Sequence, residues 1–293
     1  MKPISQTDLI LNPDGSVYHL HLLPGDISDH IVLVGDPGRV PLVSAHFDSV
    51  ELKKSNREFE THTGSYRRKR ITVISTGIGT DNIDIVLNEL DALVNVDLEQ
   101  RQERGSHRRL NLVRLGTSGA LQADIVPGAQ VIATVAGGFD GLYHFYNDPV
   151  GYNMEELATS FIESTGWKQK LADPYFIKGS DHLFQLLSGP GMVSGITIST
   201  PGFYAPQARS IRLDPVDRKL VSKMASFRYS GMRINNFEME SSALYALASL
   251  LGHRAITICV AIANRISLEF LDDYHSAVDD LILNVLDKLA RDV

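Results

Sequence analysis

Short apolar runs rich in β-branched residues recur along the chain at 31–34, 71–75, 110–115, 130–135, 195–200 and 255–261. Several end in glycine or a small polar residue, the pattern of buried strands that open into loops. Between them apolar residues fall at helical spacing. Ile83, Val86, Leu87, Leu90, Leu93 and Val94 form one such set, and Val278, Leu281, Ile282, Val285, Leu286 and Leu289 another. Leu244, Leu247 and Leu251 mark a third, which Gly252 is placed to end. Strands that alternate with helices predict an α/β layer architecture with a mainly parallel or mixed sheet.

The 293 residues show no internal repeat and no Pro/Ser-rich linker, which predicts one domain over 1–293. The apolar fraction of 43 % is ordinary for a globular chain. A formal charge of −7 argues against a nucleic-acid partner, which needs a basic face, but not against a small anion held by a local arginine cluster. The single cysteine, Cys259, stands in an apolar run and reads as a buried structural thiol, so no disulfide and no oxidising compartment are implied. The N-terminal stretch has no signal-peptide core, and no run reaches the roughly 18 apolar residues of a membrane span. A cytoplasmic setting with no membrane partner is the expectation. The charged stretch 99–109 lacks apolar periodicity and reads as a solvated loop or frayed helix end, with a basic docking patch as the alternative.

Ligands of open α/β sheets gather where strands end at their carboxyl side. Three segments there combine Gly with Arg or hydroxyl donors: Gly35-Asp36-Pro37-Gly38-Arg39, Arg114-Leu115-Gly116-Thr117-Ser118-Gly119 and Thr76-Gly77-Ile78-Gly79-Thr80. Glycine lets the backbone approach an anion, and arginine supplies a fork of donors. None matches a nucleotide P-loop, and no GxGxxG follows a strand, so ATP and NAD are not indicated. Asn236-Phe237-Glu238-Met239-Glu240-Ser241 sits at a strand-to-helix junction. Its carboxylates suit either the helix N-terminus or the vicinal hydroxyls of a sugar, and Met239 suits either the core or a sugar face. Phe203, Gln207 and Arg209, in the segment 201–209, offer a stacking ring, an amide matched to an imide edge, and a cation for charge on a leaving group; a surface loop with an aromatic anchor is the plain alternative.

Taken together, VGDPGR, NREFE, STGIG, RLGTSGA, FYAPQAR, NFEMES and the Ile262-Ala263-Asn264-Arg265 strand end occur in one order over nearly the whole chain. In that combination the sequence resembles the nucleoside phosphorylase family, and within it the uridine phosphorylases. The resemblance implies a single-domain, three-layer α/β/α fold with a central mixed sheet. It assigns Gly35, Arg39, Arg114 and Thr117 to phosphate, joined by Arg57 from a neighbouring subunit. It assigns Glu238, Met239 and Glu240 to ribose, with His19 reaching the 5′-hydroxyl across the interface. Phe203, Gln207 and Arg209 fall to the uracil, and Arg265 stands where purine-specific relatives carry an aspartate. A carboxylic acid can protonate purine N7; a guanidinium has no labile proton near neutral pH.

The implied reaction is reversible phosphorolysis of uridine, with 2′-deoxyuridine or thymidine as further candidates, in pyrimidine nucleoside salvage. Arg114, Glu240, Arg209 and Gln207 carry the catalytic assignment. Phosphate is a co-substrate and no cofactor is expected. Some relatives bind a monovalent or divalent cation near the positions of Glu58 and Ile78 at a dimer interface, where Asn82 here replaces a serine. Borrowed residues imply self-association as a dimer or hexamer. A purine phosphorylase, a hydrolytic nucleosidase and a catalytically silent nucleoside binder are the competing readings.

Overall fold

The computed structural model describes residues 3–292. Thirteen strands run in chain order as β1 (His30–Val34), β2 (Ser49–Asn56), β3 (Phe59–Tyr66), β4 (Lys69–Ser75), β5 (Val96–Asp97), β6 (Gln102–Glu103), β7 (Asn111–Ala120), β8 (Gln130–Gly138), β9 (Tyr175–Lys178), β10 (Val193–Ser199), β11 (Arg228–Tyr229), β12 (Met232–Glu238) and β13 (Arg254–Asn264). The helices are α1 (Arg39–Ser44), α2 (Thr80–Asn95), α3 (Glu155–Thr165), α4 (Asp181–Leu187), α5 (Leu220–Ser226), α6 (Ser241–Leu250) and α7 (His275–Leu289). The mixed sheet follows the order β11-β12-β10-β8-β13-β7-β1-β4-β3-β2, with β9 added on β8. β7, β13, β1 and β4 are mutually parallel, and β8 runs antiparallel to β13. An extra antiparallel pairing of Asn236 with Ala120 and Phe237 with Gly119 joins β12 to β7. That pairing closes β12, β10, β8, β13 and β7 into a small barrel and brings the carboxyl ends of β7 and β12 together.

The central strands read as near-continuous apolar runs because both faces are covered: residues 31–34 of β1 and 255–261 of β13 are all buried. Helices therefore form layers on both sides of the sheet, with α2 packed on α6 and α4 on α7. The main core runs from Val17 to Leu289, and a smaller cluster around Phe161 fills the space under α3 and α5. The predicted helices appear as α2, α6 and α7, and Gly252 follows α6 at φ +78°, as a helix-ending glycine should.

The structure differs from the sequence reading in two places. The strand expected over 110–115 continues to Ala120, so Leu115-Gly116-Thr117-Ser118-Gly119 is sheet rather than loop. Its turn-like composition is overridden by β13, which pairs with it through Asn264. The stretch 99–109 is neither a simple loop nor a frayed end of α2. Its start forms the β5–β6 hairpin, while residues 103–109 are exposed and solvated. The region 173–191 supplies β9 and α4.

Candidate active site

One cleft of about 910 Å³ opens where β1, β4, β7, β12 and β13 end. It collects Gly35, Arg39, Arg114, Thr117, Phe203, Gln207, Arg209, Glu238, Met239 and Glu240, which the sequence spreads over 206 positions. At one end the turn after β1 presents Gly35 and delivers Arg39, whose Nη1 donates to the Leu115 carbonyl at 3.4 Å. Burial first, and the neighbouring Arg114 second, lower the Arg39 pKa from its ordinary value, against the pull of Asp36.

Arg114 leaves the middle of β7 and is 4 % exposed. Its guanidinium pairs with Glu240 Oε2 and lies 3.3 Å from Glu238 Oε2. Burial would discharge it, but the two carboxylates outweigh burial and raise its pKa. The guanidinium lies over Gly116, and Nη1 also reaches Cys259 Sγ at 3.8 Å. Burial pushes that thiol up to about 12, so it is a neutral, uncharged neighbour.

The two glutamates differ. Glu238 ends β12 and is saturated by its own fold: Ser199 Oγ donates at 2.6 Å, and the backbone N–H groups of Glu240 and Ser241 donate at 3.0 Å. This is helix N-terminal satisfaction for α6, so the plain reading of Glu238 is realised whatever else it does. Glu240 faces the cleft between Arg114 and the Gly79 N–H, which donates to Oε1 at 2.8 Å. Gly79 holds φ +100°, a conformation that glycine adopts cheaply, and this aims its N–H across the cleft. Burial raises the Glu240 pKa; Arg114 opposes and Glu238 reinforces that shift.

At the far end the loop after β10 folds back on itself. Arg209 lies 3.8 Å over the Phe203 ring and donates to the Phe203 carbonyl at 2.8 Å and to Gln207 Oε1. Gln207 is 2 % exposed, and its amide donates to Thr200 Oγ1 at 3.0 Å. Burial first, and Arg265 second, lower the Arg209 pKa to about 10. The Phe203 ring, half exposed, carries Arg209 on one face and lines the cleft.

Three predicted site residues lie outside the cleft. Arg265 stands behind the loop, with Nη1 3.3 Å from the Gln207 carbonyl and its guanidinium 5.5 Å from the Phe237 ring centroid. His19 and Arg57 form a separate cluster. His19 Nδ1 bonds Glu89 at 2.6 Å, Asn56 donates to the His19 carbonyl at 2.7 Å, and Arg57 lies 5.6 Å from the Tyr18 ring. Arg57 sits at φ +55° in the two-residue turn between β2 and β3, which projects its side chain into solvent. Sequence reasoning missed Gly79 as a donor to Glu240 and Cys259 as a neighbour of Arg114; no local pattern announces either contact. Glu58 and Ile78 line the cleft beside Asn82, whose amide reaches the Ile78 carbonyl at 3.4 Å. Among the described residues no group of three or more His, Cys, Asp or Glu could hold a metal ion.

The Phosphorylase superfamily model matches residues 29–290. The chain belongs to the phosphorylase superfamily. The uridine phosphorylase of Thermococcus kodakarensis is 33 % identical over 88 % of this chain and 80 % of its own length. That of Haemophilus influenzae is 28 % identical over 86 % and 88 %. A guanosine phosphorylase of Halorubrum lacusprofundi is also 28 % identical, over 85 % and 84 %. The crystal structure of a Trypanosoma brucei nucleoside phosphorylase, described as showing uridine phosphorylase activity, superposes with TM-score 0.84 at 28 % identity, covering 96 % of this chain and 99 % of that one. A purine nucleoside phosphorylase of Toxoplasma gondii, 17 % identical with TM-score 0.65, shares the fold.

Proposed function

We propose that this chain is a uridine phosphorylase, a pentosyltransferase that reversibly converts uridine and phosphate to uracil and ribose 1-phosphate in pyrimidine nucleoside salvage. The observation that carries this reading is the order of groups along one cleft: an arginine end, a buried carboxylate, then an amide–guanidinium pair beside an exposed aromatic ring. Phosphate, ribose and uracil have that order of chemistry in the reacting complex.

Phosphate binds against Arg39, Arg114, Thr117 and the Gly35 turn. Ribose lies over Met239 with its 2′- and 3′-hydroxyls on Glu240, and uracil meets Phe203, Gln207 and Arg209. The C1′–N1 bond lengthens first, leaving an oxocarbenium-like ribose, and a phosphate oxygen then bonds to C1′. The bonding pair leaves with uracil, where Arg209 and Gln207 stabilise the negative charge until a proton from solvent or phosphate neutralises it. Phosphate first stabilises the positive ribose and then captures it. No covalent intermediate is needed, and neither a cofactor nor a metal enters the scheme. Arg265 backs the base end through the Gln207 carbonyl rather than touching the base.

His19 and Arg57 complete the site of a second copy of this chain. Neither residue lines its own chain's cleft, which supports this, as does the exposure of Arg57. The setting is cytoplasmic; among the described residues no helix is long and apolar enough to cross a membrane. Release of free base from uridine, thymidine and inosine, followed with and without phosphate, tests the reading. Phosphate-dependent release of uracil is expected. Release from inosine instead would indicate a purine enzyme, release without phosphate a hydrolase, and no release a silent binder.

A further inference from the structure

The loop that carries Phe203, Gln207 and Arg209 has a second side. Behind it lies a separate cavity of about 400 Å³, which shares no lining residue with the cleft. Pro201, Ala205 and Pro206 form its loop wall, and Phe139, Trp167 and Leu171 face them. Trp167 and Phe139 are tilted rings with centroids 4.5 Å apart, and the indole Nε1 already donates to the Ala172 carbonyl at 3.0 Å. The surface that remains for a ligand is therefore ring face and proline edge, which suits a flat apolar body.

The charges select its polar end. Asp140 is occupied by the Tyr175 and Ser242 hydroxyls and the Leu142 N–H. Asp217 is paired with Lys223 at 2.6 Å. The side chains of Lys168 and Lys170, both exposed at the rim, make no ion pair or hydrogen bond among the described residues, and Lys168 acts on Asp217 only as a nearby charge, behind Lys223. The free charge at the mouth is thus positive. The enclosed volume admits a molecule of two or three rings rather than a protein segment.

We propose that this cavity binds an aromatic carboxylate or sulfonate. Its rings lie between Trp167 and the prolines, its anionic group lies between Lys168 and Lys170, and its occupancy is coupled to the nucleoside cleft through the 201–206 segment. The coupling rests on the uridine reading; the site does not. A ligand wedged behind Pro201 and Pro206 holds in place the loop that Gln207 and Arg209 use, so each ligand changes the other's affinity by the same factor.

Trp167 is the only tryptophan in the chain, so its emission reports this cavity. Titration with 1-anilinonaphthalene-8-sulfonate should quench Trp167 saturably. Lys168→Glu combined with Lys170→Glu should weaken that binding about tenfold and leave uridine cleavage unchanged, because both side chains are exposed and far from the reacting atoms. In the absence of phosphate, uridine should shift the sulfonate Kd by the factor by which the sulfonate shifts the uridine Kd. Quenching that does not saturate, or that ignores the charge reversal, overturns the site. Saturable quenching indifferent to bound uridine overturns the coupling. Saturable, charge-dependent quenching in a protein that binds no uridine supports the site and counts against the nucleoside reading instead.

Discussion

Gly116 lies so close under the Arg114 guanidinium that a Cβ at this position would meet Nη1 at 2.1 Å and Cys259 Sγ at 3.0 Å. The glycine is needed for space rather than for a turn, since it sits inside β7. Gly116→Ala should therefore displace Arg114 from Glu240. Losing charge-assisted hydrogen bonds of this kind costs about 1.5–3 kcal/mol. The expected result is a fall in kcat/KM of one to two orders of magnitude. Overpacking of the buried strand should also destabilise the fold by about 1–3 kcal/mol, read as a lower melting temperature. Normal activity in this variant would mean that Arg114 can work from another position.

Arg114 also neutralises two buried carboxylates. Arg114→Ala should lose activity and should destabilise the chain by about 3–5 kcal/mol, because Glu238 and Glu240 are left without their cation. Adding Glu240→Gln removes one of the stranded charges. The double variant should regain part of the stability, measured by denaturant unfolding, while activity stays lost. Restoration of activity along with stability would remove Arg114 from the chemistry.

The sequence made the periodic elements legible, and the motif order located the cleft, but contacts between distant residues were not readable. The strand 31–34 and helices α2 and α7 follow from apolar spacing alone, because each buries an uninterrupted stripe. Residues 116–119 were misread because Gly-Thr-Ser-Gly has turn composition, and only the neighbouring strand β13 makes it sheet. The pairing of Arg114 with Glu240, 126 positions away, depends on β12 closing against β7, which local pattern does not encode. Similarly, FYAPQAR announced its side chains but not that Arg209 stacks on Phe203 and holds the Gln207 amide.

Glu240 gives the site a pH limit. Its pKa is raised, first by burial and then by Glu238, against the pull of Arg114. A raised pKa means that the proton returns at a higher pH than for an ordinary carboxylate, so the charged acceptor for the ribose hydroxyls is lost early on the acid side. Phosphate also changes its charge with pH, so uridine binding alone is the useful measure. The uridine Kd should rise as pH falls through the Glu240 pKa, and Glu240→Gln should give weaker binding without that acid limb. An acid limb that survives in the glutamine variant belongs to another group.

The Gln207 amide is oriented by Thr200 on one side and Arg209 on the other. Gln207→Ala should raise the uridine KM and lower kcat/KM by about 10²-fold or more, since a site built to pair polar edges loses most when a partner is missing. Phosphate binding should be nearly unchanged. Thr200→Val, which touches no substrate, should reproduce a smaller part of the same effect by freeing the amide. An equal loss for uridine and phosphate would make the loop a structural element.

His19 and Arg57 do not line the cleft that their chemistry suits, and they are tied to each other through Tyr18 and Asn56. If they serve a second copy, a cleft is built from two chains and its halves can be mutated separately. Arg57→Ala removes the donated half and Arg114→Ala the resident half, so each homo-oligomer should be nearly inactive. In a dimer of the two variants with reciprocal donation, one cleft receives both defects and the other receives none. Unfolding and refolding an equimolar mixture should therefore restore roughly a quarter of the wild-type activity per chain, the share expected from random pairing. Arg57→Ala combined with Arg114→Ala on one chain, mixed with wild type, should instead lose activity on refolding, from roughly a half to roughly a quarter of wild type per chain, because each hybrid cleft then carries one defect. No recovery in the first mixture, with hybrids verified by mass spectrometry, would place Arg57 at its own chain's cleft, and full activity of Arg57→Ala by itself would place it outside the site.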